Sequence, residues 1–530
     1  AKLHYRISSL SPSPFTTIAM SDNGLSDDEL PNDGIFAATL PAHADGTVIE
    51  YYIEARDNSN ARTWPGSTDT FGTQGSNALY IVEDRPLSDS QEVYRLVLSA
   101  VEAEEFSAGN FDTESNAQMN VTLIVKRGDD QEIRYRGGLR RRGAGSRNDN
   151  PRTMRLNLLG ENPWDGVTAL NLNSHFGYMQ IFGHKLFAAS GLAGGRGRSV
   201  KLVINGSEEA GGDEGQYGFY AHMEPQGGGS IERQFPDDSS GNLYRKRRPD
   251  RQLAYRDGDL SAYVDYGWSK NTNQADWDWS DLDALLGALN DTQNPDYLTN
   301  LSAHLDVEQW LRWFAVMTLL NNGETNISNG ADDDYYIYRG VTDPRFKLIP
   351  HDLDTIFGLG DGSSISSPQN TIFDMFEAGG NGRAESLDLL EDLIRHPEIL
   401  PRYYHHLREL VNTSFSKSVF DSLVAGCLDF VPNGQRANVI SYMDQRRAYV
   451  LSVIDPGLTV ETGLGEVGGF PVSAAPLLSS VSGNFSLLDA AAVLVNGQPA
   501  QLEFRWFCPG RSRACRSGLE LPRRRLRSGD

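Results

Sequence analysis

The amino-acid sequence predicts an α+β protein built from more than one domain. Three observations lead to this prediction. Short stretches of alternating apolar and polar residues, separated by turn residues, dominate the first half of the chain. From about residue 280 to 455, apolar residues instead recur every three or four positions, as on one face of a helix. The length of 530 residues is too great for a single hydrophobic core.

Residues 1–84 are predicted to form an immunoglobulin-like or fibronectin-like β-sandwich. The candidate strands begin at Leu3, Phe15, Gly34 and Val48. Asp22-Asn-Gly and Asn32-Asp-Gly lie between them and supply residues that tolerate positive φ in turns. Several short strands at this spacing are typical of a sandwich. A module of this kind more often spaces or binds than catalyses.

Residues 90–455 are predicted to form one domain in which a strand-rich lobe precedes a helical lobe. Ser280 and Asp306 are the predicted N-caps of two helices whose apolar residues share one face. A short strand pair is expected between Tyr335 and Ile349. This order of strands and helices predicts two lobes with a cleft between them.

Residues 456–530 are predicted to contain a partial β module followed by an anomalous tail. From Phe504 onward the chain has eight Arg and no Lys, against only Glu520 and Asp530. The tail therefore carries about +6 and the rest of the chain about −29. We interpret the tail as a corrupted reading frame, and a nucleic-acid or membrane-binding tail is the alternative.

Composition excludes several classes of function. The net charge of −23 argues against a surface that wraps nucleic acid. No run of about 18 apolar residues is present, so no membrane-spanning helix is expected. The three cysteines lack metal-ligand spacing and cannot form a disulfide framework. The first residues do not resemble a leader peptide, so we expect that a signal peptide is absent or lies upstream and that the chain is a fragment of a longer protein.

The chemically most informative stretch runs from Leu319 to Gly360. Asp352 and Asp354 end a predicted strand, and hard cations such as Mg²⁺ take carboxylate oxygens in such places. The polar loop before the strand pair adds further candidates. These loop residues are Glu324, Asn326 and Asp334. The alternatives are a solvated turn, a helix cap or a structural Ca²⁺ site.

Six segments in order resemble the CotH kinase family, the relatives of spore-coat protein H. The segments are Arg142-Gly-Ala-Gly-Ser-Arg147, Arg152-Thr-Met-Arg-Leu156, Tyr217-Gly-Phe-Tyr-Ala-His-Met-Glu224, Gly241-Asn-Leu-Tyr-Arg-Lys246, Tyr335-Tyr-Ile-Tyr-Arg339 and Ile349-Pro-His-Asp-Leu-Asp-Thr-Ile-Phe-Gly358. The resemblance covers about residues 90 to 455. It implies a two-lobed, kinase-like fold that uses ATP with Mg²⁺ or Mn²⁺ to phosphorylate a protein. A secreted or cell-surface location is expected from the N-terminal module, which resembles sandwich modules that flank secreted bacterial proteins.

The resemblance also implies roles for individual residues. Asp352 takes the place of the metal-binding Asp, with Asp354 beside it and Asp334 or Asn326 completing the set. Glu324 takes the place of the catalytic acid of the loop. The phosphate-binding residue is expected from the strand-rich lobe, and the candidates are Arg152, Arg155 and Lys246.

Two other functions stay open at this point. The family's loop Asp is Glu324 here, and its Lys pair is Arg152 and Arg155, so a catalytically weak or inactive surface protein that binds cell-surface or matrix polymers is the alternative. His351 stands where the family has Trp, and we expect it to stack or to support a neighbour. A glycan-processing enzyme with paired carboxylates ranks last, because no spacing in the chain demands it.

Overall fold

The structure is a computed structural model that divides the chain into two compact units, residues 1–456 and 457–530. It describes residues 1–25, 28–66, 75–84, 91–107, 115–127, 130–143, 147, 150–211, 216–246, 253–323, 327, 335–360, 367–376, 388–459, 465–467, 470–472, 485–486, 488, 494–495 and 498–499. The predicted boundary between residues 84 and 90 falls within the first unit and stays a prediction.

The N-terminal region is rich in strands, as predicted. Its strands are β1 (Lys2–Ile7), β2 (Thr16–Ala19), β3 (Val48–Arg56), β4 (Ala61–Trp64) and β5 (Ala78–Ile81). They form one antiparallel sheet in the order β2-β1-β3-β4, and β5 also pairs with β3. The predicted strand from Gly34 is wrong: only Ala37 pairs, with Ser21. Ile35 and Phe36 are both exposed there, so no apolar face holds that segment against the sheet.

The next strands close into a barrel. They are β6 (Val93–Leu98), β7 (Met119–Arg127), β8 (Asp130–Arg141), β9 (Met154–Asn157), β10 (Ala169–Asn173), β11 (Gly197–Ile204), β12 (Ser207–Glu208) and β13 (Tyr220–Met223), with helix α1 (Ala100–Ser107) after β6. The order is β12-β11-β13-β10-β9-β8-β7-β6, and β11 also pairs in parallel with β6. Seven strands therefore form a ring, with β12 attached to β11.

The alternating pattern of the sequence places apolar side chains inside this barrel. They include Leu96, Leu98, Val121, Leu123, Leu139, Met154, Leu156, Leu170, Leu172, Val200 and Leu202. On the outer surface, Val97 and Ile124 pack against Leu79 of β5, so the N-terminal sheet lies against the outside of the barrel. Polar residues occupy outward positions on β9 and β10, namely Arg155, Asn157, Asn171 and Asn173.

Helix α2 (Gly177–Ala189) also lies on the outside of the barrel, against β11 and β13. A second sheet follows, in the order β15-β14-β16-β17. Its strands are β14 (Asn242–Lys246), β15 (Trp268–Lys270), β16 (Tyr335–Arg339) and β17 (Lys347–Pro350). The predicted strand pair between Tyr335 and Ile349 is confirmed as β16 and β17, whose register joins Tyr336 to Ile349.

Helices dominate the rest of the first unit. They are α3 (Gly228–Gln234), α4 (Ala262–Asp265), α5 (Ser280–Asn290), α6 (Tyr297–His304), α7 (Val307–Leu320), α8 (Asp388–Arg395), α9 (Leu400–Asn412), α10 (Lys417–Cys427) and α11 (Asn433–Ile454). Helix α7 is almost entirely buried and packs against α2, α9 and α11. The α+β class predicted from the sequence is confirmed.

The two predicted helix caps have different outcomes. Asp306 is the N-cap of α7, and its carboxylate accepts a hydrogen bond from the Gln309 N–H at 3.2 Å, as predicted. Ser280 is instead the first residue of α5, and the Asp278 carboxylate accepts from its N–H at 2.9 Å. Asp accepts such a bond as readily as Ser, so the acid two residues earlier takes this role.

The second unit contains two short hairpins among its described residues. They are formed by β18 (Gly465–Val467) with β19 (Phe470–Val472) and by β20 (Leu494–Val495) with β21 (Gln498–Pro499). The Arg-rich tail lies outside the described residues. Within the described part of the chain, no helix has the length and apolar character needed to cross a membrane.

A buried histidine in α2 should make the stability of the first unit depend on pH. His184 is buried, and its Nδ1 accepts a hydrogen bond from the Gly195 N–H at 2.9 Å. Desolvation by burial, and then the charge of Arg233, lower the pKa of His184 from 6.5 to about 4. The folded chain therefore keeps this ring neutral where the unfolded chain protonates it.

The contribution of His184 to stability should be complete above pH 6.5 and lost as the pH falls through about 4. The loss is on the order of 3 kcal/mol. Denaturant titrations between pH 4 and 7 should show a shallower dependence on pH for His184→Asn, with about one proton fewer taken up on unfolding. The exposed His405→Asn is the matched control, and equal slopes for both variants would contradict the assignment.

Candidate functional site

The two acids predicted to bind metal lie directly after β17. Asp352 has φ of 27°, a backbone conformation that is uncommon for residues other than glycine. The Phe357 N–H donates to the Leu320 carbonyl at 2.9 Å, and the Gly323 N–H donates to the Thr355 carbonyl at 3.1 Å. These bonds tie the segment after β17 to the end of α7, so the backbone of Asp352 is held by its neighbours.

Leu353, between the two acids, anchors this segment to α2. Its side chain is fully buried, as is that of Ile356. A Cβ placed on Gly183 of α2 would meet Leu353 Cδ1 at 2.8 Å and Leu353 Cβ at 3.0 Å. The helix can approach the acidic segment this closely because residue 183 has no side chain.

One amide group joins the two carboxylates. The Nε2 of Gln180, in the first turns of α2, donates to Asp352 Oδ1 at 2.5 Å and to Asp354 Oδ2 at 3.4 Å. The Oε1 of Gln180 accepts from Asn173 Nδ2, and the Oδ1 of Asn173 accepts from Arg142 Nη1. We call this chain, from Arg142 through Asn173 and Gln180 to the two acids, the amide relay.

The chemistry of its two ends sets the direction of the amide relay. A guanidinium group only donates hydrogen bonds, and an ionised carboxylate only accepts them. Both amides between these ends must therefore turn their oxygens toward Arg142 and their NH₂ groups toward the acids. The relay consequently holds the two carboxylates side by side and directed at the same nitrogen.

Three guanidinium groups interact near this pair. Burial lowers the pKa of Arg142, the charge of Asp352 raises it, and the charge of Arg245 lowers it further. Burial also lowers the pKa of Arg155, followed by the charge of Arg142. The guanidinium of Arg245 lies 5.5 Å from the centre of the Tyr336 ring, and its buried Nε has no hydrogen-bond partner among the described residues. Like charges brought together in this way favour an anionic ligand such as a phosphate.

The structure brings some of the predicted site residues together and separates others. Asp352, Asp354 and Arg155 belong to the arrangement just described. Lys246 is fully buried on β14, and the adjacent Arg245, on the other face of the strand, interacts electrostatically with Arg142. Arg152 lies elsewhere, where its guanidinium donates to the Ser107 carbonyl at 3.0 Å.

The remaining predicted residues, Glu324, Asn326 and Asp334, lie outside the described residues. Gln180 and Asn173 were not expected from the sequence. The sequence feature that could have indicated Gln180 is its position as an uncharged amide within an otherwise apolar stretch of a predicted helix. The ring of His351 packs edge-on against that of Tyr336, with centroids 5.3 Å apart, in keeping with the expected stacking role.

Comparison with known proteins supports the resemblance. The family model described as CotH kinase protein matches residues 133–428, which is more than half of the chain. A crystal structure of the Helicobacter pylori proinflammatory kinase CtkA is similar over 56% of this chain and 92% of that chain, at 9% sequence identity and a TM-score of 0.29. At that TM-score the likeness adds nothing to the family match. None of the curated proteins compared with the chain matches it.

The amide relay leads to a prediction about metal affinity. Gln180→Leu removes the NH₂ group that holds both carboxylates, so their repulsion should separate them. We expect Mn²⁺ affinity, measured by electron paramagnetic resonance titration, to fall by about 10- to 100-fold. Lys185→Gln, an exposed substitution on the same helix, is the control. Unchanged affinity in a folded Gln180→Leu protein would exclude this role for the relay.

The contact at Gly183 leads to a second prediction. In Gly183→Ala the new methyl group must displace Leu353, so we expect a destabilisation of about 1–3 kcal/mol in denaturant titrations, together with weaker Mn²⁺ binding. Gly426→Ala is the matched control, because a Cβ on this glycine of α10 meets nothing within 4 Å. Equal stability of the two variants would show that α2 and the acidic segment do not pack as described.

Proposed function

The chain belongs to the CotH kinase family, and on that premise we propose that it transfers the γ-phosphoryl group of ATP to a hydroxyl group of a protein, with Mg²⁺ or Mn²⁺ as cofactor. The observation that carries this proposal is the pairing of Asp352 with Asp354 through Gln180, close to Arg142. Phosphoryl transfer depends on such parts: carboxylates for a metal and cationic groups for phosphates.

The residues present fit a hard divalent cation. Both ligand candidates are carboxylates, which Mg²⁺ prefers, and Mg²⁺ is commonly held by one or two carboxylates together with substrate phosphates. The amide relay provides the supporting hydrogen bonds that keep ligand carboxylates in place. Asp352 and Asp354 would hold the metal, which would supply positive charge to offset the negative charge that develops during transfer.

The arginine cluster fits the phosphate groups of ATP. Arg142 interacts electrostatically with both Arg155 and Arg245, and the buried Nε of Arg245 lacks a partner among the described residues. We propose that these three side chains bind the phosphates and thereby bring the γ-phosphoryl group next to Asp352. Arginine can take this role because its planar donors match phosphate oxygens in pairs.

The proposal extends to residues outside the described part of the chain through the family resemblance alone. Glu324 would orient or deprotonate the acceptor hydroxyl, and Asn326 or Asp334 would complete the metal ligands. Secretion or a place at the cell surface, where the acceptor protein would lie, is part of the same proposal.

A catalytically weak binding protein is the second candidate. It is favoured by the burial of Lys246, which leaves only arginines among the described residues of the phosphate cluster. Such a protein would keep the fold as a scaffold that binds cell-surface or matrix polymers.

Label transfer from ATP distinguishes the two candidates. Purified chain, labelled ATP, Mg²⁺ or Mn²⁺ and test acceptor proteins should give acceptor labelling that falls by about 100-fold or more in Asp352→Asn. Asp421→Asn, an acid in a surface ion pair of α10, is the control and should keep its activity. Transfer that persists in Asp352→Asn would overturn the assignment of this site.

Thermal unfolding provides the complementary test. ATP with Mg²⁺ at 100 times its dissociation constant should stabilise the folded chain by about 2.7 kcal/mol. Absence of both this stabilisation and label transfer would favour the binding protein.

A further inference from the structure

The connection between β2 and β3 lacks the apolar core that normally fixes a long loop. Among its described residues, the only buried side chain is Asp28, which is 2% exposed. Met20 and Leu40 of the connection are half-buried. The other large apolar residues described there point to solvent, and they are Leu25, Leu30, Ile35 and Phe36. A carboxylate therefore occupies the place where a loop of this length would ordinarily bury an aliphatic or aromatic side chain.

Three carboxylates meet inside this connection. One oxygen from each of Asp22, Asp28 and Asp33 lies within 4.8 Å of the other two. Backbone N–H groups fold the chain around them: Asp22 accepts from Asp33 at 3.2 Å and from Gly34 at 3.0 Å, and Asp28 Oδ2 accepts from Gly24 at 2.6 Å. The two predicted turns and the buried acid are thereby brought to one point.

No basic side chain in the described part of the chain neutralises the negative charge of these three acids. The second oxygen of Asp28, Oδ1, is buried and has no hydrogen-bond donor among the described residues. No lysine, arginine or histidine among those residues forms an ion pair with any of the three acids. A buried carboxylate oxygen without a partner is costly, and such groups are normally paired or bound to a metal.

We propose that Asp22, Asp28 and Asp33 form a Ca²⁺ site that organises the connection between β2 and β3. Two oxygens on opposite sides of a Ca²⁺ ion, each about 2.4 Å away, lie about 4.8 Å apart, so the observed spacing allows all three acids to share one ion. Ca²⁺ fits better than Mg²⁺, because it accepts six to eight oxygens in irregular geometry, including backbone carbonyls, whereas Mg²⁺ demands an octahedron.

The site contains none of the residues assigned to phosphoryl transfer, so it does not depend on the proposed kinase activity. Its role is structural: the ion would tie Asp22-Asn-Gly, Asp28 and Asn32-Asp-Gly together where apolar contacts are missing. The N-terminal module would then be stabilised by Ca²⁺ wherever this cation is abundant.

Calorimetric titration of chelator-treated chain with CaCl₂, in parallel with MgCl₂, tests the proposal. The unaltered chain should bind Ca²⁺ with a dissociation constant of about 1 mM or below, and more tightly than Mg²⁺ at this site. Asp28→Asn should weaken Ca²⁺ binding by at least about tenfold. Asp33→Asn should weaken it by as much, and because the Asp33 side chain is exposed, misfolding would not explain that loss of binding.

Two further variants separate this site from its surroundings. Glu29→Gln removes an adjacent, exposed acid that is not part of the cluster and should bind Ca²⁺ like the unaltered chain. Asp352→Asn should also keep this binding, which separates it from the proposed Mg²⁺ site. The proposal is overturned if the unaltered chain gives no heat with Ca²⁺ up to about 10 mM, if both cluster variants bind as tightly as the chain itself, or if Mg²⁺ binds here equally well.

Discussion

The hydrogen bonds from Gln180 to Asp352 and Asp354 are the interaction on which the candidate site depends. Two carboxylates this close repel each other, and a single NH₂ group directed at both offsets that repulsion without adding charge. The relay through Asn173 to Arg142 fixes the orientation of this amide. Three separate parts of the fold thus determine one geometry: the ends of two barrel strands, helix α2 and the segment after β17.

The closed barrel explains why these parts can be positioned so closely. Its interior is filled by aliphatic and aromatic side chains, which leaves the outward positions of β9 and β10 free for polar residues. Barrel closure also removes the exposed strand edges that would otherwise let the sheet slip or pair with other chains. Arg155 and Asn173 therefore stand on a rigid surface, and a rigid surface is what a site with tight distance requirements needs.

Charge is distributed unevenly in a way that suits this arrangement. The chain as a whole carries −23, yet three arginines interact around one acidic pair. In the N-terminal module the opposite holds, and three acids converge without a described cation beside them. The arginine cluster is unfavourable by itself because of its excess positive charge, and the acid cluster because of its excess negative charge. Each is best understood together with the ligand of opposite charge proposed for it.

The α+β class, the strand pair β16–β17, the N-cap at Asp306 and the position of Asp352 and Asp354 just after a strand could all be predicted from the sequence. These features depend on local periodicity and on residues that are neighbours in the chain, which a sequence displays directly. Closure of the barrel is visible only in the folded structure, because the pairing of β11 with β6 joins residues such as Leu202 and Tyr94 that are far apart in the chain. The folded structure also shows that Lys246 is buried while Arg245, on the other side of the strand, interacts with Arg142; neighbouring residues of a strand point to opposite sides, and no local pattern shows which side is buried. The role of Gln180 also could not be predicted from the sequence, because a single amide in an apolar helix acquires a role only when the fold brings two carboxylates to it.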